Sequence, residues 1–141
     1  MLLIYIIIVA IITWLFTLKK KDTNIYPVIL ESYWNTRDVP SYIKTGWGNG
    51  YAVIHKSHPL FGKDYNDIDH IDIHGGLTYA ESLNGDNQRY KVIADEGVYI
   101  RTPKDYWVFG FDTAHYMDDL ESCPKEYVQM ETQNLVNQLK R

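Results

Sequence analysis

The chemistry in this 141-residue chain is concentrated in its histidines. His70, Asp72 and His74 alternate along Ile68–His74. If that stretch is a strand, its period of two turns Ile71 and Ile73 one way and the three polar side chains the other. Imidazole and carboxylate at i, i+2 and i+4 are ligand types found in zinc and iron sites, and Asp112 and His115 offer further ligands. The same face also reads as the wet side of a half-solvated strand, or as a polar site without metal. The alternation names neither a metal nor a cofactor.

His74 runs directly into Gly75-Gly76. Paired glycines after a strand let a backbone approach a ligand closely and turn N–H groups toward an oxyanion or phosphate. Beside an imidazole this makes half of an acyl- or phosphoryl-transfer site; its plainer reading is a tight turn. The other half is thin, because there is no G-x-S-x-G elbow and Thr78 is a poor nucleophile without a base. His115 with Asp112 or Asp118 forms an acid–base pair in which the carboxylate fixes the imidazole tautomer. Upstream, a loop with His55, Lys56, His58 and Lys63 brings cationic groups suited to an anion, although ordinary loop chemistry explains it as well.

Positioning these residues requires a sheet. Tyr and Trp are abundant, with 12 and 4 copies, and β-favouring residues recur. The expected strands are Gly50–His55, Ile68–His74, Gly97–Arg101 and Tyr106–Phe111, with Trp47-Gly48-Asn49-Gly50 as a turn and Ser82–Arg89 as an exposed loop. Pro124 suits a first helical turn, and a helix from there to Leu139 aligns Val128, Leu135 and Leu139, with Tyr127 and Met130 beside them. Trp34, Trp47 and Trp107 are assigned to the core. The fold class is therefore α+β: a mainly antiparallel sheet with a C-terminal helix, preceded by one N-terminal transmembrane helix.

Four motifs stand in order: Gly50-Tyr51-Ala52-Val53, His58-Pro59-Leu60-Phe61-Gly62-Lys63, Asp72-Ile73-His74-Gly75-Gly76-Leu77-Thr78-Tyr79 and Trp107-Val108-Phe109-Gly110-Phe111-Asp112-Thr113-Ala114-His115. Together they resemble an uncharacterised family of small bacteriophage and bacterial proteins with no established activity. The resemblance spans about two-thirds of the chain, from Gly50 to the C-terminal helix. It implies a viral or prophage source. The family pattern has no counterpart of His70 and no anchor, which implies His74, Asp112 and His115 as the set that matters.

The anchor is read from Met1–Leu18, which carries no charged side chain and is followed by Lys19, Lys20 and Lys21. Such a run matches the roughly 20 apolar residues a bilayer core requires. It lacks the basic start and small-residue cleavage site of a signal peptide. Lysines on its C-terminal side place the following domain in the cytosol. Residues 1–18 are thus an anchor, 19–28 a basic flank and linker, and 29–141 a single soluble domain. Three of the 14 Lys+Arg lie in that flank, leaving a body acidic by seven charges, which disfavours phosphate-driven nucleic-acid binding. The single Cys123 cannot close an internal disulfide and reads as a structural thiol.

Three functions fit. The first is a membrane-held domain with a pocket for a small anionic ligand, built from His58, Lys63, His74, Gly75, Gly76, Thr78, Asp112 and His115. The second is a hydrolase, metal-assisted or not, using His74, Asp112 and His115. The third is a structural or interaction protein without an active site.

Overall fold

In a computed structural model, which describes residues 23–85, 100 and 102–141, the chain forms a four-stranded antiparallel sheet and one long C-terminal helix. The strands are β1 (Tyr26–Glu31), β2 (Gly48–His55), β3 (Tyr79–Ser82) and β4 (Tyr106–Phe111), and the helix is α1 (Lys125–Leu139). Their order across the sheet is β1-β2-β4-β3. The central pair is in register from Gly50 opposite Phe111 to His55 opposite Tyr106.

Both faces of the central strands are covered. Ala52, Ile54, Phe109 and Phe111 alternate onto the face that α1 packs against, where they meet Val128, Leu135, Val136 and Leu139. Tyr51, Val53 and Val108 point the other way, onto Val28, Leu83 and Ile100. Full burial of a side chain such as Phe109 or Ile54 contributes about 1.5–3 kcal/mol. The helix comes so close that a Cβ on Gly50 would lie 2.1 Å from Thr132 Oγ1. Helix α1 exists because Val128, Thr132, Leu135, Val136 and Leu139 recur at helical spacing on one side, with Pro124 preceding the first turn. Met130, expected beside this stripe, is exposed instead.

Several expectations need correction. Ile68–His74 is not a strand: a 3₁₀ turn at Tyr65–Asp67, capped by the Asp64 carboxylate, leads into irregular chain and then a turn at His74. The physical reason is that the backbone groups of this segment bond to side chains of α1. Gln138 accepts from the Asp72 N–H at 2.8 Å and donates to the Asp72 carbonyl at 2.7 Å, and Glu131 accepts from the His74 N–H at 2.7 Å. With those groups taken, no ladder forms and the shared face of His70, Asp72 and His74 dissolves.

Gly48–Gly50 belong to β2 and are not a turn. Strand β3 takes Ser82, assigned to a loop, and β1 takes Tyr26–Val28, assigned to the linker. Trp34 is exposed on a 3₁₀ turn, whereas Trp47 and Trp107 pack against the core. The anchor at 1–18 and its lysine flank lie outside the described residues, as does the expected strand Gly97–Arg101 apart from the buried Ile100. No helix among the described residues is long and apolar enough to cross a membrane.

Candidate functional site

Two loops meet beside the N-terminal half of α1. The first is the turn at His74-Gly75, closed by the Gly76 N–H donating to the Ile73 carbonyl at 3.0 Å. Gly75 and Gly76 both have positive φ, at 65° and 80°. Gly75 is required twice over, because a Cβ there would also fall 2.2 Å from His115 Cε1. The second loop follows β4. Asp112 anchors its start, accepting from Ala114 N–H at 3.0 Å and from the Thr78 hydroxyl at 2.9 Å. A turn from His115 to Asp118 is closed by a 3.0 Å backbone bond, and Met117 within it takes a φ of 79°, a conformation that favours glycine.

Asp118 is the pivot of the site. Its Oδ2 accepts from His74 Nε2 at 2.9 Å, from His115 Nδ1 at 3.2 Å and from the His115 backbone N–H at 2.9 Å. Burial pushes its pKa up, but the hydrogen bonds from His74 and His115 outweigh that and hold it below the usual carboxylate range. His74 completes its contacts through Nδ1, 3.0 Å from the Tyr127 hydroxyl. Burial raises the Tyr127 pKa, and the Glu131 charge adds to the rise. Cys123 Sγ lies 3.8 Å from Asp118 Oδ1 and 4.0 Å from His74 Nε2. Desolvation raises its pKa, so it stays a thiol.

An ionised carboxylate only accepts, which fixes the protons around Asp118. His74 donates through Nε2–H, and in its neutral form takes the Tyr127 O–H on Nδ1. His115 donates through Nδ1–H, leaving its Nε2 lone pair without a hydrogen bond among the described residues. This is the tautomer that a carboxylate imposes on a catalytic imidazole. A cavity of about 370 Å³ opens on His115 and Asp118, rimmed by the exposed Tyr42, Tyr116 and Met117, so the pair is reachable from outside.

The structure brings together His74, Gly75, His115 and Asp118. Asp112 is adjacent, its Oδ1 3.9 Å from His115 Nδ1, and it holds Thr78. His58 is elsewhere: it accepts from the Leu60 N–H at 3.1 Å and donates to the Leu139 carbonyl at 2.7 Å, spending both nitrogens on backbone at the far end of α1. From Tyr127 to Leu139 is about 18 Å of helix. Lys63 is exposed, and its carbonyl accepts the Trp107 indole N–H at 3.1 Å. His70 is also exposed, 3.9 Å from Asp69. Tyr127 and Glu131 were missed as site residues. Their i, i+4 spacing puts them on one helix face, but only tertiary packing reveals that His74 lies against it.

No family model, curated protein or solved structure matches this chain.

Proposed function

We propose that this domain is a hydrolase whose water-activating pair is His115 and Asp118, with His74 as the second imidazole. The observation that carries the proposal is the buried Asp118 carboxylate accepting from both histidines. It leaves the His115 Nε2 lone pair to take a proton from water, and its charge stabilises the imidazolium that results. Positioned acid–base catalysis of this kind contributes about 10²–10⁴-fold. His74 is oriented from outside by Tyr127 and through its backbone by Glu131, so its ring is fixed before substrate arrives.

The small anionic ligand suggested by the sequence enters as substrate, an ester of phosphoric acid at the His115 cavity, with a neutral carboxylic ester as the comparison. His58 and Lys63 have no part in it. Met1–Leu18 holds the domain at a membrane, with the domain on the cytosolic side, in a protein of viral or phage-like type.

The test is turnover of p-nitrophenyl acetate, p-nitrophenyl phosphate and bis(p-nitrophenyl) phosphate by the full chain and by His115→Ala. A loss of at least 100-fold in the variant, with its fold retained by circular dichroism, supports the reading. Equal rates on every substrate that is turned over, or no turnover at all, would leave a structural or interaction protein.

A further inference from the structure

We infer that His74, His115 and Asp118 together hold one zinc ion with its fourth position open to water. The inference rests on the site chosen above, and it replaces His115 Nε2 with the metal as the group that activates water.

The first observation is geometric. One donor atom from each of the three residues lies within 4.8 Å of the other two. Asp118 Oδ2 is 2.9 Å from His74 Nε2 and 3.2 Å from His115 Nδ1. Bonds of about 2.0–2.2 Å in a tetrahedron place neighbouring ligands about 3.3 Å apart. The two distances to Asp118 Oδ2 are within a few tenths of an ångström of that spacing, and no two donors of the set are more than 4.8 Å apart.

The second observation concerns protons. Two N–H groups now point at Asp118 Oδ2, and both protons can move off those nitrogens without either ring losing one. In His74 the proton shifts from Nε2 to Nδ1, where the Tyr127 oxygen, an acceptor as readily as a donor, receives it. In His115 it shifts from Nδ1 to Nε2, which has no other partner among the described residues. A metal-bound imidazole held from outside through its second nitrogen is the usual support for such a ligand. Asp118 is already ionised and needs no change.

Donor chemistry narrows the ion. Two imidazoles and one carboxylate suit zinc or iron(II), whereas calcium and magnesium require oxygen ligands, and four-coordination is the geometry zinc prefers. Asp112, 3.9 Å from His115 Nδ1, adds negative charge nearby. Cys123 Sγ approaches His74 and Asp118 without joining the set that includes His115, so three ligands leave one position for water.

The full-length chain, stripped with a chelator and titrated with Co²⁺ and then Zn²⁺, tests this without any substrate. One equivalent of Co²⁺ with the intense visible absorption of four-coordinate cobalt, displaced by zinc, is the expected result. His115→Ala and Asp118→Asn should weaken zinc binding at least 100-fold. Tyr127→Phe, which keeps the ring, should weaken it about 10-fold, and His58→Ala should leave it unchanged. Wild-type protein that takes up no zinc, or zinc retained equally by the site variants, overturns the inference. The spectrum of the wild type decides even if a variant fails to fold. Turnover by protein that binds no zinc overturns the metal alone and leaves the acid–base hydrolase. Zinc bound at these residues without turnover of any ester keeps the metal site and removes the hydrolase.

Discussion

The two ends of α1 each hold a histidine, and the two are used in opposite ways. At the C-terminal end, His58 gives one nitrogen to the Leu60 N–H and the other to the Leu139 carbonyl. Leu139 belongs to the last helical turn, whose carbonyls lack helical partners, so the imidazole serves as a cap. Nothing is left over for a ligand. At the other end, the His74 nitrogens meet Tyr127 and Asp118, both titratable side chains, and Asp118 passes the connection on to His115. An imidazole satisfied by backbone is structural, while one satisfied by groups that can exchange protons is available for chemistry. Residue type is the same at both ends; the partner decides the role.

The sharpest way to break this contrast is Asp118→Ala. Removing a buried carboxylate leaves His74 and His115 without their shared acceptor and costs about 3 kcal/mol. Denaturant unfolding should record that loss together with the loss of hydrolysis and of zinc uptake. Gly75→Ala comes next, at about 2 kcal/mol, since the new Cβ meets the His115 ring and φ is 65°. Its signature is a displaced His115 ring, visible as a shifted imidazole resonance, and a site that no longer works in a protein that still folds. His58→Ala should cost about 1 kcal/mol for the two backbone partners it leaves. Turnover should not change. Loss of turnover there, with stability preserved, would erase the distinction between the two ends.

How far the sequence foretold this arrangement follows from the range of the forces involved. Strands β2 and β4 and helix α1 were legible because their apolar residues repeat at the period of the element and bury against each other. His74, Asp112 and His115 were legible as chemistry because glycines and carboxylates sit next to them in the chain. Asp118 was visible only as one of two partners for His115, since sequence spacing does not separate a carboxylate three residues before from one three residues after. The segment Ile68–His74 was misread because it alternates like a strand yet bonds to Gln138 and Glu131, more than fifty residues away. Tyr127, Glu131 and Cys123 share that limitation, as each meets His74 only after the helix docks on the sheet. The short edge strand β3 has no buried alternation to announce it.

The smallest effect is read by pH at the His74 end. In the metal-free protein Asp118 has a folded pKa below that of the unfolded chain, because its hydrogen bonds with His74 and His115 outweigh its desolvation. A lowered carboxylate pKa contributes stability that is fully present above the unfolded value of about 3.9. That contribution is lost as pH falls through the folded value, since the proton then binds the unfolded chain more readily until both are saturated. The unfolding midpoint of the stripped protein should therefore fall in acid more steeply for the wild type than for Asp118→Asn, whose amide does not titrate. Parallel acid limbs for wild type and Asp118→Asn would mean that Asp118 is not held as a carboxylate by its two histidines. The proposed water-activating pair would then lose the charge on which it depends.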